Sequence, residues 1–143
     1  MTIASFLISR IELSIVAAMC IILAASCNFG PPENSKAAQA QRGKVHFMKY
    51  CSQCHGDDAK GMRIDSLTVQ PKDLTTITRQ TKEKIFPVLE VARMIDGRNM
   101  ADAHGTRQMP VWGEVFSTQE HLDEKQIKGK MAEMIAYLMS IQE

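Results

Sequence analysis

The apolar positions change their pattern several times along the chain. Residues 13–25 form an unbroken apolar run, from Leu13 through Ile15, Val16, Ile21 and Ile22 to Ala25. Residues 35–51 show helical spacing instead, with Ser35 in an N-cap position and Ala40, Gly43, Phe47 and Tyr50 on one side. Periodicity is lost over residues 56–78, where Gly56, Gly61 and Pro71 mark a loop. Residues 81–96 again predict a helix, with Ile85, Leu89, Ala92, Met94 and Ile95 on one side and Gly97 as its stop. Pro87 fits either as the first residue of the main helix or as a kink in a longer one. A second irregular stretch covers residues 98–118. The last helix starts near Asp123, which forms a capping-box pattern with Gln126, and carries the stripe Ile127, Met131, Met134, Ile135, Leu138 and Ile141. Gly129 inside it costs roughly 1 kcal/mol relative to Ala. No period-two run and no repeat occurs, so the expected class is all-α with long loops. A long loop in a small domain needs a task, and wrapping a cofactor is one.

The apolar run has the length of a signal h-region, with Arg10 before it and Glu12 offsetting that charge. A spanning helix needs about 20 apolar residues, and the run approaches this only by including Ser26, Cys27, Asn28 and Phe29. The string Leu23–Ala24–Ala25–Ser26–Cys27 resembles a bacterial lipobox, with Leu23 one place further from the cysteine than usual. Three fates are open: cleavage with a lipid on Cys27, cleavage near Ser26 without lipid, and retention as an anchor helix. Each delivers the domain outside the cytoplasm. The expected division is a signal or anchor over residues 1–26, a linker over 27–36 containing Gly30, Pro31 and Pro32, and one domain over 37–143.

Charge narrows the partners. The 17 basic and 16 acidic side chains nearly balance, and no basic run occurs, which excludes nucleic acid as a partner. One Trp, two Tyr and five Phe make a thin aromatic supply, partly replaced by ten flexible Met. A domain of this size buries limited apolar surface, so an embedded cofactor would complete its core.

The chemistry concentrates at Cys51–Ser52–Gln53–Cys54–His55, a C-x-x-C-H string. Two thiols at this spacing can each add to a vinyl group on one edge of a porphyrin, and the adjacent imidazole then lies under the iron. A zinc site would need two further close Cys or His, and His104 and His121 are scattered. A thioredoxin-like dithiol would need a βαβ pattern, which is absent. The string therefore points to one covalently attached haem c with its iron.

With these residues the chain resembles the class I, mitochondrial-type monohaem cytochromes c. The resemblance covers residues 37–141 and rests on Gly43, Phe47, Cys51–Ser52–Gln53–Cys54–His55–Gly56, Pro71, Met109–Pro110, Trp112–Gly113 and Tyr137. It implies crossed first and last helices, with Gly43 against Tyr137, and haem-wrapping loops between them. It implies His55 and a late methionine as iron ligands. Met109 lies in a loop beside Pro110, whereas Met48, Met94, Met131, Met134 and Met139 fall on helices; Met62 and Met100 are its loop rivals. Pro71 resembles the loop proline whose neighbouring backbone accepts the ligand histidine's ring N–H. Trp112 is a candidate donor to a haem propionate, or a core plug, and Arg98 and Arg107 are candidate propionate partners. His46 and His121 are expected at the surface or behind the ligands, and His104 is an alternative ligand should Met109 leave.

His/Met ligation fills both axial positions and favours Fe(II), which suits electron transfer and not catalysis. The resemblance thus implies a single-electron carrier in a bacterial respiratory or periplasmic redox chain, placed in the periplasm or on the outer face of a membrane. Its partners would be membrane oxidases, reductases or dehydrogenases, with a tether through a Cys27 lipid or the N-terminal helix. A relay subunit fixed in an oxidoreductase complex and a gas-binding haem protein with a labile Met are the competing readings.

Overall fold

A computed structural model describes residues 30–99 and 109–143. The apolar run, the lipobox-like string, Met100, His104 and Arg107 lie outside the described residues. Residues 32–143 form one compact unit. Among the described residues there are helices and no strand: α1 (Lys36–Tyr50), α2 (Ser52–His55), α3 (Ile77–Gln80), α4 (Val88–Asp96), α5 (Trp112–Thr118) and α6 (Glu124–Ser140). None of them is long and apolar enough to cross a membrane.

The two long helices are framed by side-chain caps. The Ser35 hydroxyl accepts from the Ala38 N–H at 3.1 Å, satisfying a first-turn donor of α1. Asp123 and Gln126 close a reciprocal box at the start of α6, at 2.8 and 2.9 Å. α1 and α6 then cross. Gly43 sits at the crossing, where a Cβ would stand 2.9 Å from the Tyr137 Cβ and closer still to the Glu133 backbone carbonyl. Glycine therefore sets the interhelix distance. Phe47 meets Tyr137 one turn on, with ring centroids 5.2 Å apart. On the outer side Arg42 Nε donates to Glu133 at 2.6 Å, and His46 Nε2 lies 3.1 Å from the same carboxylate.

The core beneath the crossing holds Phe47, Phe116, Ile127, Met131, Met134, Ile135, Tyr137 and Leu138. Phe47, Phe116 and Ile127 are almost wholly buried, and each such side chain contributes roughly 2–3 kcal/mol. A second aromatic group joins α1 to α5: Tyr50 meets Trp112 edge-on at 5.4 Å and Phe116 at 5.2 Å.

Several sequence expectations are corrected. Helix is absent over residues 81–87; α4 begins at Val88, with Pro87 in its N-cap position. Lys84 adopts a left-handed φ of 53°, and Thr81 Oγ1 bonds the backbone of Ile85 in both directions, so the segment is a closed turn. Ile85 and Leu89 are about 70% exposed and Met94 is also exposed, leaving Ile95 as the buried residue of α4. Two short helices, α3 and α5, occupy stretches expected to be irregular. Leu89 and Met139 instead border a back-face groove of about 720 Å³ floored by Ala40, Ala92, Ile135 and Ala136. None of the residues of the C-x-x-C-H string lines it.

Candidate functional site

The C-x-x-C-H string begins where α1 stops. Cys51 caps α1, its N–H donating to the Phe47 carbonyl at 2.8 Å, and α2 places Cys54 and His55 within the next turn. Both thiols are unpaired, and both are half-buried. Burial, and then the neighbouring Cys54, push the Cys51 thiol up to about 11, so it stays protonated at neutral pH.

Gly56 ends α2 with a φ of 77°, and the chain folds back under the string. Gly61 N–H donates to the His55 carbonyl at 2.8 Å and Met62 N–H to the Cys54 carbonyl at 3.1 Å. Gly61, at φ 86°, passes directly against the backbone of Pro71 and Lys72, where a side chain would collide with the Pro71 carbonyl. This close passage brings the next carbonyl to the imidazole: His55 Nδ1 lies 3.1 Å from the Lys72 oxygen. A carbonyl only accepts, so Nδ1 carries the proton and Nε2 presents a lone pair.

The loop is internally braced. The Gln70 amide donates to the carbonyls of Ile64 and Leu67 and accepts from the Ile64 N–H. Gln142 donates to the Leu74 carbonyl, and its own oxygen accepts from Thr78 N–H, tying the stretch after Lys72 to the end of α6. Leu74 N–H reaches back to the Ala59 carbonyl at 2.8 Å.

On the other side of the chain, Met109 is half-buried and packs against the core, as does Trp112. Met62 is 47% exposed. Arg98 is engaged: its guanidinium donates to Asp96 at 2.6 Å and to Glu124 at 2.5 Å. His121 is exposed, with a φ of 55°. Tyr50 and Lys130 both donate to the Glu120 carboxylate, and Lys49 lies 3.3 Å from it. Lys130 first, and Tyr50 second, hold Glu120 down to about 2.

These residues fit a covalently held haem. Two unpaired thiols lie within one turn, and an imidazole is held by its outer nitrogen with the inner one available. Half-buried apolar side chains, among them Leu74, Ile77, Val91, Met109 and Val115, pack against the core. The donors do not suit zinc: among the described residues no three of His, Cys, Asp and Glu converge to hold a metal ion. Sequence reasoning read Gly61 only as a loop marker and missed Gln70 and Gln142. Only the left-handed turn at Gly61 leaves a trace in sequence, because a glycine in a loop marks such turns.

An all-helical domain with its C-x-x-C-H string on the turn after the first helix is a c-type cytochrome domain. The family model for cytochrome c oxidase, cbb3-type, subunit III matches residues 38–124, more than half of the chain, and the chain belongs to that family. No curated protein and no solved structure matches it. A c-type haem with its iron, and a role in electron transfer, go with that family.

Proposed function

We propose that the chain is a single-electron carrier holding one haem c, with His55 and Met109 as axial ligands. The observation that carries this reading is the His55–Lys72 hydrogen bond, which fixes the tautomer and orientation an iron-ligating imidazole needs. Cys51 and Cys54 would hold the haem through thioethers, each sulfur and its hydrogen adding across one vinyl group. When bound, the haem would supply a one-electron Fe(III)/Fe(II) couple. His55 and Met109 would hold the iron, leaving no position for a substrate, and the soft thioether would favour the reduced state. Pro71 sets the path of the chain that presents the Lys72 carbonyl. Trp112 braces the start of α5 and is a donor for a propionate.

In this reading residues 1–26 export the domain to the periplasm or the outer face of a bacterial membrane, residues 27–36 are a linker, and residues 37–143 are the cytochrome domain. The Cys27 lipid or a retained N-terminal helix tethers it. Replacing Cys27 by Ser tests the lipid: unchanged membrane partitioning removes it. Electrons pass to or from a membrane oxidase, reductase or dehydrogenase. The family model is that of an oxidase subunit, which favours a second form of the same reading, a relay subunit resident in such a complex. A stable partner copurifying from membranes decides for the resident form.

The test is the absorption spectrum of protein matured in an export-competent host. Reduced c-type bands that survive acid-acetone extraction, with a near-infrared Met–Fe(III) band in the oxidised form, are expected. Covalent haem without that band removes Met109 as ligand; haem lost to the solvent removes the cytochrome reading.

A further inference from the structure

Three helix ends meet at one arginine. Arg98 follows the end of α4, and its guanidinium pairs with Asp96, in the last turn of that helix, through Nε at 2.6 Å. The other face of the same group pairs with Glu124, in the first turn of α6, through Nη1 at 2.5 Å and Nη2 at 3.2 Å. Between them lies Gly113, the second residue of α5. A Cβ on Gly113 would stand 2.5 Å from Arg98 Nε and collide with the Asp96 carboxylate. The backbone of α5 therefore runs close beside the ion pair, and a side chain at position 113 would have to push the Asp96 and Arg98 side chains aside.

The consequence concerns the chain just before. Met109, Pro110 and Val111 lead straight into α5, and Val111 provides no side-chain cap for it. The start of α5 is held by the packing of Gly113 against Asp96 and Arg98, and by the aromatic contacts of Trp112 with Tyr50 and Phe116. The hydrogen bonds from Arg98 also hold the Glu124 carboxyl below its ordinary value.

We infer that Arg98, with Asp96, Glu124 and Gly113, is a positioning unit that fixes the entry to α5 and so keeps the Met109 sulfur on the iron. The inference rests on Met109 being the second ligand. Arg98 touches neither haem nor substrate in this scheme; it acts through the backbone of residues 109–113. With the unit broken, the Met-off form gains population, and external ligands for the iron bind more tightly in proportion.

The test uses the full-length, haem-loaded protein in its ferric form and titrates it with imidazole. Arg98→Met is compared with Arg42→Met, which breaks another ion pair, that of Arg42 with Glu133, away from α5. In Arg98→Met the apparent imidazole affinity rises about tenfold, the scale of a shift in the Met-off population, and the near-infrared band weakens. Gly113→Ala moves both readings in the same direction, Arg98→Lys restores part of the effect, and Arg42→Met stays within twofold of the parent. Equal affinities in Arg98→Met and the parent overturn the positioning role, and so does an equal rise in Arg42→Met, which would report general loosening. A parent protein with covalent haem and no near-infrared band overturns the ligand assignment and this inference with it. A parent band that none of the Arg98 and Gly113 variants disturbs overturns the positioning unit alone.

Discussion

Gly43 lies against the backbone carbonyl of Glu133 so closely that no Cβ fits between them. The contact is backbone to backbone, so a neighbouring side chain cannot swing away to relieve a larger residue. Gly43→Ala should destabilise the fold by at least about 2 kcal/mol, although alanine favours helix by roughly 1 kcal/mol over glycine. Denaturant unfolding of Gly43→Ala and of Gly129→Ala makes the comparison. Gly129 has open space around it, so its alanine variant should gain stability, and a gain at both positions would contradict the crossing geometry.

Met109→Ala removes the thioether while leaving the Arg98 ion pairs and the Trp112–Tyr50 contact in place. The oxidised protein should lose its near-infrared band, and the reduced protein should bind carbon monoxide rapidly. The Cys51–Cys54 thioethers should survive, so the haem stays with the protein in acid-acetone. A six-coordinate low-spin iron in this variant, unchanged from the parent, points to a different second ligand.

Gly61→Ala strikes the hydrogen bond of His55, the other proposed ligand. A methyl group at φ 86° is strained and meets the Pro71 carbonyl. The Lys72 carbonyl is next in the chain and should shift away from His55. A weaker acceptor leaves the imidazole less electron-donating, so the reduction potential should rise. Redox titration of the variant checks the sign, and an unchanged potential would mean that the 3.1 Å contact has no hold on the imidazole.

Glu120 links acid stability to the aromatic group. Its carboxyl is held down to about 2 from an ordinary 4.5, by Lys130 first and Tyr50 second. A depressed carboxyl stabilises the fold above its unfolded value, and that stability is lost as pH falls from about 4.5 to about 2. Glu120 is only partly covered, so solvent screening leaves about 1 kcal/mol. Glu120→Gln should therefore be less stable than the parent at pH 7, and the difference should close as pH falls toward 2. Urea midpoints at several pH values measure it, and a constant gap across that range would contradict the charge argument.

The parts of this fold legible in the sequence are those written in side chains with strict positional meaning. Ser35 and the Asp123–Gln126 box mark two helix starts because capping needs a short oxygen at one position. Cys51, Cys54 and His55 mark the proposed attachment site, and the Ile127–Leu138 stripe announces the buried face of α6. What was not legible depends on three-dimensional neighbours. Helix α5 has only seven residues and packs Trp112 and Phe116 against Tyr50, a contact not visible as local periodicity. The exposed Leu89 and Ile85 mimic a helical stripe, but a turn closed by Thr81 interrupts the register before α4 begins. The His55 acceptor is a backbone carbonyl, which every residue possesses, so no residue type could single out Lys72.

The crossing of α1 and α6 also sets an order of events. Arg42 and Glu133 stand 91 residues apart in the chain, so α1 finds its partner only after nearly the whole domain has been delivered. Closing so long a loop is slow compared with forming the helices themselves. Until then the Cys51–His55 turn lies at the end of an undocked helix, its thiols open to approach from any side. Cys51 gains its packing against the core, and the two thiols become half-buried, only once the fold has closed.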